Sequence, residues 1–182
     1  VVSILLFRNP LGDAARNLAI RAGAVVALIG MGLAFLMTSP NAQQLSNWQG
    51  ISGAHAVGIA DGGPGLPLLG WSTVAGDLRI PHFVGMHALQ AIPILLILIE
   101  LLSRRVAVLR DVTVRLRLVA IASVSYVAVL GLLTWQALRG QSIVQPDALT
   151  TTVTLVLAAL TLAATAVVLV RGSRVSSSAA TA

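Results

Sequence analysis

The sequence predicts an all-α protein, a polytopic transmembrane helix bundle of about four spans with a long Gly/Pro-rich extracytoplasmic loop. Three observations predict it. The 182 residues are 57% hydrophobic and 10% charged, with a mean hydropathy of +0.91, whereas a water-soluble domain needs far more charge on its surface. The apolar residues gather in uncharged runs of about 20, enough to cross about 30 Å of hydrocarbon as a helix. The connecting segments alternate in charge.

Residues 1–17 read as a cytoplasmic segment. Val1 to Phe7 resembles the end of an earlier apolar span, and no basic region precedes it, so it is not an intact signal peptide. The natural chain is expected to extend further N-terminally. Residues 18–37 form the first span, with Arg21 placed to snorkel. Residues 38–81 form the extracytoplasmic loop. Residues 82–102 form the second span, with Pro93 near its middle marking a kink. Residues 103–117 form a cytoplasmic loop and 118–138 the third span. Residues 139–148 form a short extracytoplasmic loop containing Gln145-Pro146-Asp147, a helix-start signal. Residues 149–170 form the fourth span. Residues 171–182 form a cytoplasmic tail, small and polar from Ser173 and expected to be disordered.

The net charge of +6 comes from 12 arginines, no lysine and six acids. Taken in order, and with Arg21 of the first span's first turn counted with the first segment, the connecting segments carry +2, −1, +4, 0 and +2. Positive loops stay cytoplasmic, so both ends are expected in the cytoplasm. Trp71 and Trp135 fall near the outer interface, as an aromatic belt requires. Arginines confined to short loops signal topology, which argues against nucleic acid as a partner; the partner is the lipid bilayer. The absence of cysteine excludes disulfides, iron–sulfur clusters and covalently attached haem. The absence of lysine excludes Schiff-base chemistry.

Small residues recur at helical spacing: Gly23, Ala27, Gly30 and Ala34 in the first span, and Thr154, Ala158, Thr161 and Thr165 in the fourth. Such stripes let helices approach closely. Packing within the bundle is the first reading; a homo-oligomer or a larger membrane complex is the alternative.

The loop of 44 residues is far longer than an ordinary connection. It is apolar between Gly/Pro turns, so it is expected to fold over the bundle mouth. Within it, Asp61-Gly-Gly-Pro-Gly-Leu-Pro67, Gly70-Trp-Ser72 and Gly76-Asp-Leu-Arg-Ile-Pro-His-Phe-Val-Gly-Met-His-Ala-Leu-Gln90 resemble a segment shared by a family of uncharacterised multi-span bacterial membrane proteins. The resemblance runs from about His55 to Pro93. It implies the class and a bacterial cytoplasmic membrane, and no mechanism.

All three histidines fall at the loop end. His55 lies in the loop. His82 and His87 lie at the head of the second span, about 140° apart around a regular helix and about 7.5 Å apart along it. Met86 shares the His82 face, and Met37 ends the first span at similar depth. Imidazole with thioether suits copper, or haem b through His/Met ligation. His87, His82, His55, Met86 and Met37 are therefore the candidate cofactor-binding residues, with the three histidines as metal ligands in a redox or metal-handling role. Alternatively, these histidines hydrogen-bond the folded loop, and the protein is a structural or accessory subunit, or a transporter component, without cofactor. Asp77 and Arg79 are expected to pair and anchor the loop, with Asp61 as a further partner for Arg79. Glu100 lies within reach of Arg104. No catalytic motif is present: H-E-x-x-H and Walker A are absent, and Gly70-Trp-Ser72-Thr-Val74 fails the nucleophile elbow at its last position.

Overall fold

The computed structural model describes Arg8 and residues 12–180; the expectation of an earlier span over residues 1–7 lies outside the described residues. The protein is all-α, and four helices are long and apolar enough to cross a membrane. In chain order the elements are α1 (Ala14–Gly32), α2 (Phe35–Thr38), α3 (Ala42–Ser46), β1 (Ala56–Val57), β2 (Gly76–Asp77), α4 (Arg79–Leu102), a 3-10 turn (Ala107–Arg110), α5 (Val112–Leu138) and α6 (Ala148–Ala180). α1 and α2 together make the first apolar stretch, Ala14–Thr38.

Aspartates set the helix starts. The first N–H groups of a helix lack intrahelical acceptors, and a carboxylate there both accepts a hydrogen bond and meets the positive end of the helix dipole. Asp13 Oδ1 accepts from Arg16 N–H at 2.9 Å ahead of α1. Asp111 Oδ1 accepts from Thr113 N–H at 2.7 Å ahead of α5. Asp147 Oδ1 accepts from Thr150 N–H at 2.7 Å ahead of α6. Asp77, two residues before α4, accepts from Arg79 N–H at 3.0 Å. The helices therefore begin earlier than the apolar runs: α1 at Ala14 rather than 18, α4 at Arg79 rather than 82, α5 at Val112 rather than 118. The Thr150 N–H, then the Arg139 guanidinium, hold the Asp147 carboxyl well below the usual carboxylate range. The Arg16 N–H chiefly lowers Asp13 too, against slight burial. α6 continues to Ala180 through the segment expected to be disordered. A preformed helix propagates into Ala- and Ser-rich sequence without paying for a new nucleus.

The chain forms two compact units. One contains the described residues up to Ala27, His87–Val127 and the chain from Val156; the other contains Leu28–Met86 and Ala128–Leu155.

In the first unit, Ile99, Leu109, Val114 and Leu118 form an apolar cluster covered by Val108, Val168 and Leu169. Two ion pairs fasten it. Arg16 grips Glu100 with two bonds of 2.8 and 3.1 Å, and Arg115 meets Asp13 at 2.9 Å while donating to the Leu109 and Arg110 carbonyls. Glu100 thus pairs with Arg16, 84 residues away, rather than with the nearby Arg104. Gly23 lets α1 approach α4: a Cβ there would lie 3.0 Å from the Ala88 carbonyl oxygen. Thr161 of the small-residue stripe shares a 2.7 Å hydrogen bond with Ser125 of α5, so that residue packs inside the molecule.

In the second unit, α1 and α4 cross at Gly30 and Gly85. A Cβ on Gly30 would lie 2.4 Å from the Gly85 carbonyl carbon and the Met86 nitrogen. α1 breaks just beyond. Ala34 N–H turns to the Met31 carbonyl at 3.0 Å instead of continuing the helical ladder to Gly30.

Candidate functional site

The second unit carries an extended polar network, and the long loop builds much of it. Asn41 and Gln44 cap α3 reciprocally, each backbone N–H donating to the other's side-chain oxygen at 2.9 Å. The same Gln44 side chain clamps Gly53, donating to its carbonyl at 2.8 Å and accepting from its N–H at 3.0 Å. Gly53 has φ +85°, and any Cβ would strike the Met37 carbonyl oxygen at 2.1 Å. Only glycine satisfies both conditions.

Asp61 folds the next stretch. Its Oδ1 accepts from the N–H groups of His55 at 3.0 Å and Ala56 at 2.8 Å. Ala56 and Val57 then pair antiparallel with Asp77 and Gly76. Between these short strands the chain makes a hairpin with a bridge at Gly65 and Ser72, Leu66 N–H donating to the Trp71 carbonyl at 2.8 Å. Its tip holds Leu68 at φ +69°, the only described non-glycine residue with positive φ, and 106% exposed. The Trp71 ring stands edge-on to Phe83 of α4 at 5.5 Å.

Asp77 is the central fastener, 1% exposed. Its two oxygens accept from Ser72 N–H (2.8 Å), Arg79 N–H (3.0 Å) and the Arg79 guanidinium (3.0 and 2.6 Å). Arg79 also donates to the Gly70 carbonyl at 2.6 Å, tying the hairpin's turn to the head of α4. Burial pushes the Asp77 carboxyl up, but the bonds from Arg79 and Ser72 outweigh it, and the net shift is downward. The free space among Asp77, Ile80, Gln136 and Gln141 is about 10 Å³, at or below what one water needs. The pair is a structural clasp, with the Asp77 carboxylate fully enclosed.

The ends of α5 and α6 complete the network. Ser142 Oγ donates to the Ser72 carbonyl at 3.3 Å, Gln136 to the Ser142 carbonyl at 2.9 Å, and Thr150 to Gln141 Oε1 at 2.7 Å. Gly76 passes close enough that a Cβ would sit 2.0 Å from the Ala137 oxygen. Arg139 bonds Asp147 and lies over the Trp135 ring at 4.4 Å. Gln136, Ser142 and Thr150 are all buried, and nothing in their spacing announces this; the Asn41-x-x-Gln44 capping box, by contrast, is a sequence signal.

Each expected site residue has its own surroundings. His82 Nδ1 lies 2.8 Å from the Gly30 carbonyl oxygen. A carbonyl only accepts, so Nδ1 carries the hydrogen, and the imidazole supplies the donor that Gly30 loses where α1 breaks. His55 Nδ1 is 3.5 Å from Asp61 Oδ1, too long for a hydrogen bond, and has no other partner. Asp61 serves the loop backbone rather than bonding Arg79. Met86 is 39% exposed, His87 is exposed and Met37 is half-buried. Among the described residues, no three His, Cys, Asp or Glu side chains come together to hold a metal ion.

No protein-family model, curated protein or solved structure matches the chain.

Proposed function

We propose that the protein is a structural or accessory subunit of the bacterial cytoplasmic membrane. Both its ends are cytoplasmic, and its folded extracytoplasmic loop is a rigid platform that docks a partner membrane protein. The charge alternation supports the orientation. The loop supports the role: Asp61, Asp77, Arg79 and Gln44 are all engaged within the second unit, while Leu45, Trp48, Ile51 and Leu68 remain 58–106% exposed. Large apolar side chains displayed on an internally fastened frame suit docking.

Two single-cysteine variants of this cysteine-free chain test the orientation. In intact cells an impermeant maleimide is expected to label Gln49→Cys and to spare Ala107→Cys; the reverse pattern overturns it. A photo-crosslinker attached at Leu68→Cys in native membranes is expected to give one discrete protein adduct, lost when Trp48 and Ile51 become serine. Adducts with lipid alone would mean that the platform rests on the bilayer and docks no partner.

One observation favours a second reading. The Nδ1–H of His82 on a backbone carbonyl leaves Nε2 with its lone pair, the orientation that outer partners impose on metal-ligating imidazoles. In this reading His82, with His55, His87, Met37 or Met86, binds copper or haem b in a redox or metal-handling role. Purified protein would then carry stoichiometric copper, or a haem absorption band, that His82→Ala removes. Protein purified intact with neither excludes this role.

A further inference from the structure

The first unit contains a groove of about 630 Å³ between α4, the 3-10 turn, α5 and α6, within the range of about 300–1,000 Å³ that encloses a small amphiphile. Its walls are apolar, with Leu95, Ile99, Leu118 and Ile121 facing Thr165 and Leu169. The Thr161 hydroxyl on the same wall donates to the Leu157 carbonyl at 2.8 Å and is bonded to Ser125, so it makes no polar demand on an occupant. Along α6 the lining runs from Thr161 to Ser173, roughly 18 Å of helix rise, which suits an extended alkyl chain.

One end of the groove is strongly basic. The lining residues Val106, Leu109, Leu118, Val170 and Ser173 have as immediate chain neighbours Arg105, Arg110, Arg117, Arg171 and Arg174. Arg110 reaches back to the Ser103 carbonyl at 3.2 Å. Arg105, Arg117 and Arg171 are exposed and form no ion pair among the described residues. The acids nearest the lining in the chain are Glu100 and Asp111, and both are engaged, Glu100 by Arg16 and Asp111 at the start of α5. A rim of this kind would repel a second copy of itself, and an apolar trough offers nothing to nucleic acid.

We infer that the groove holds an acyl chain of an anionic phospholipid, with the lipid phosphate at the arginine rim. The trough supplies chain contact that any phospholipid can use, and the rim supplies selection for negative headgroups. Selection and chain contact are separable because different residues carry them.

The whole protein reconstituted in phosphatidylcholine vesicles, with phosphatidylglycerol or phosphatidylcholine spin-labelled midway along the chain, tests this by electron paramagnetic resonance. The motionally restricted component is expected to favour phosphatidylglycerol by at least about fivefold, the factor one arginine supplies at a membrane surface. The double variant Arg105→Gln/Arg171→Gln, altered only at exposed side chains, is expected to lower the preference by at least about fivefold while leaving the phosphatidylcholine component unchanged. Thr165→Phe, which fills the trough, is expected to shrink the restricted component for both lipids. Equal restriction of the two lipids in the parent protein overturns the inference, as does a preference undiminished by the arginine substitutions. Inorganic phosphate erasing the preference, where chloride of equal ionic strength does not, assigns the rim to a free anion and also overturns it.

Discussion

Gly30→Ala is expected to destabilise the protein by about 1–3 kcal/mol, whereas Gly32→Ala, two residues further along the same helix, is expected to be neutral or slightly stabilising. Helix propensity alone gives both the same sign, since alanine is favoured over glycine by up to about 1 kcal/mol. The crossing separates them. A Cβ at Gly30 meets the backbone of Gly85 and Met86 at 2.4 Å, while one at Gly32 meets nothing within 4 Å. Backbone cannot rotate away as a side chain can, so α1 and α4 must part locally. The same movement pulls the Gly30 carbonyl from His82. Unfolding by sodium dodecyl sulfate titration from mild detergent reads both variants. Equal shifts for the two would show that the helices do not touch at Gly30.

The second large effect belongs to Asp77. Asp77→Asn sets an amide NH2 against the donors that the buried carboxylate serves and removes the counter-charge of the partly exposed Arg79 guanidinium, a change that costs about 1–3 kcal/mol. The cost falls on the loop, because the carboxylate holds together the hairpin, β2 and the head of α4. Hydrogen exchange and proteolysis are expected to rise across residues 50–76, with the spans still inserted. The pH dependence has a definite sign. The folded-state value of Asp77 is lowered, so its contribution is complete above the ordinary aspartate value of 3.8 and is lost as pH falls through the lower folded-state value. Loop protection in the parent protein should fall over that acidic window, and the variant should show a smaller fall. Unchanged protection in Asp77→Asn at neutral pH would remove Asp77 from its central place.

The four spans were legible because hydropathy sums over about 20 residues and tolerates local error. The helix starts were less so. Asp13 and Asp111 counted only as loop charges, although each is a cap that carries its helix back beyond the apolar run. The Asp77–Arg79 clasp was legible because its partners are two residues apart. The Arg16–Glu100 pair was not, because 84 residues separate them and only the approach of α1 to α4 makes them neighbours. For the histidines, spacing gave depth along the helix and no direction to a partner. That His82 would meet the Gly30 carbonyl depends on a break in α1 between Leu33 and Ala34, in a run that reads as unbroken apolar helix.

Each of the six acidic side chains has a named partner: Asp13, Asp77, Asp111 and Asp147 at helix starts, Asp61 on loop amides, Glu100 on Arg16. Among the described residues, Arg16, Arg79, Arg115 and Arg139 form ion pairs with them, while Arg105, Arg117 and Arg171 stand exposed outside these pairs. Mutational tolerance in this chain is therefore lopsided by sign. Random replacement of an acid removes a part of the architecture, whereas replacement of Arg105, Arg117 or Arg171 touches no described ion pair. Drift can retune charge at those three positions while the negative charges stay fixed.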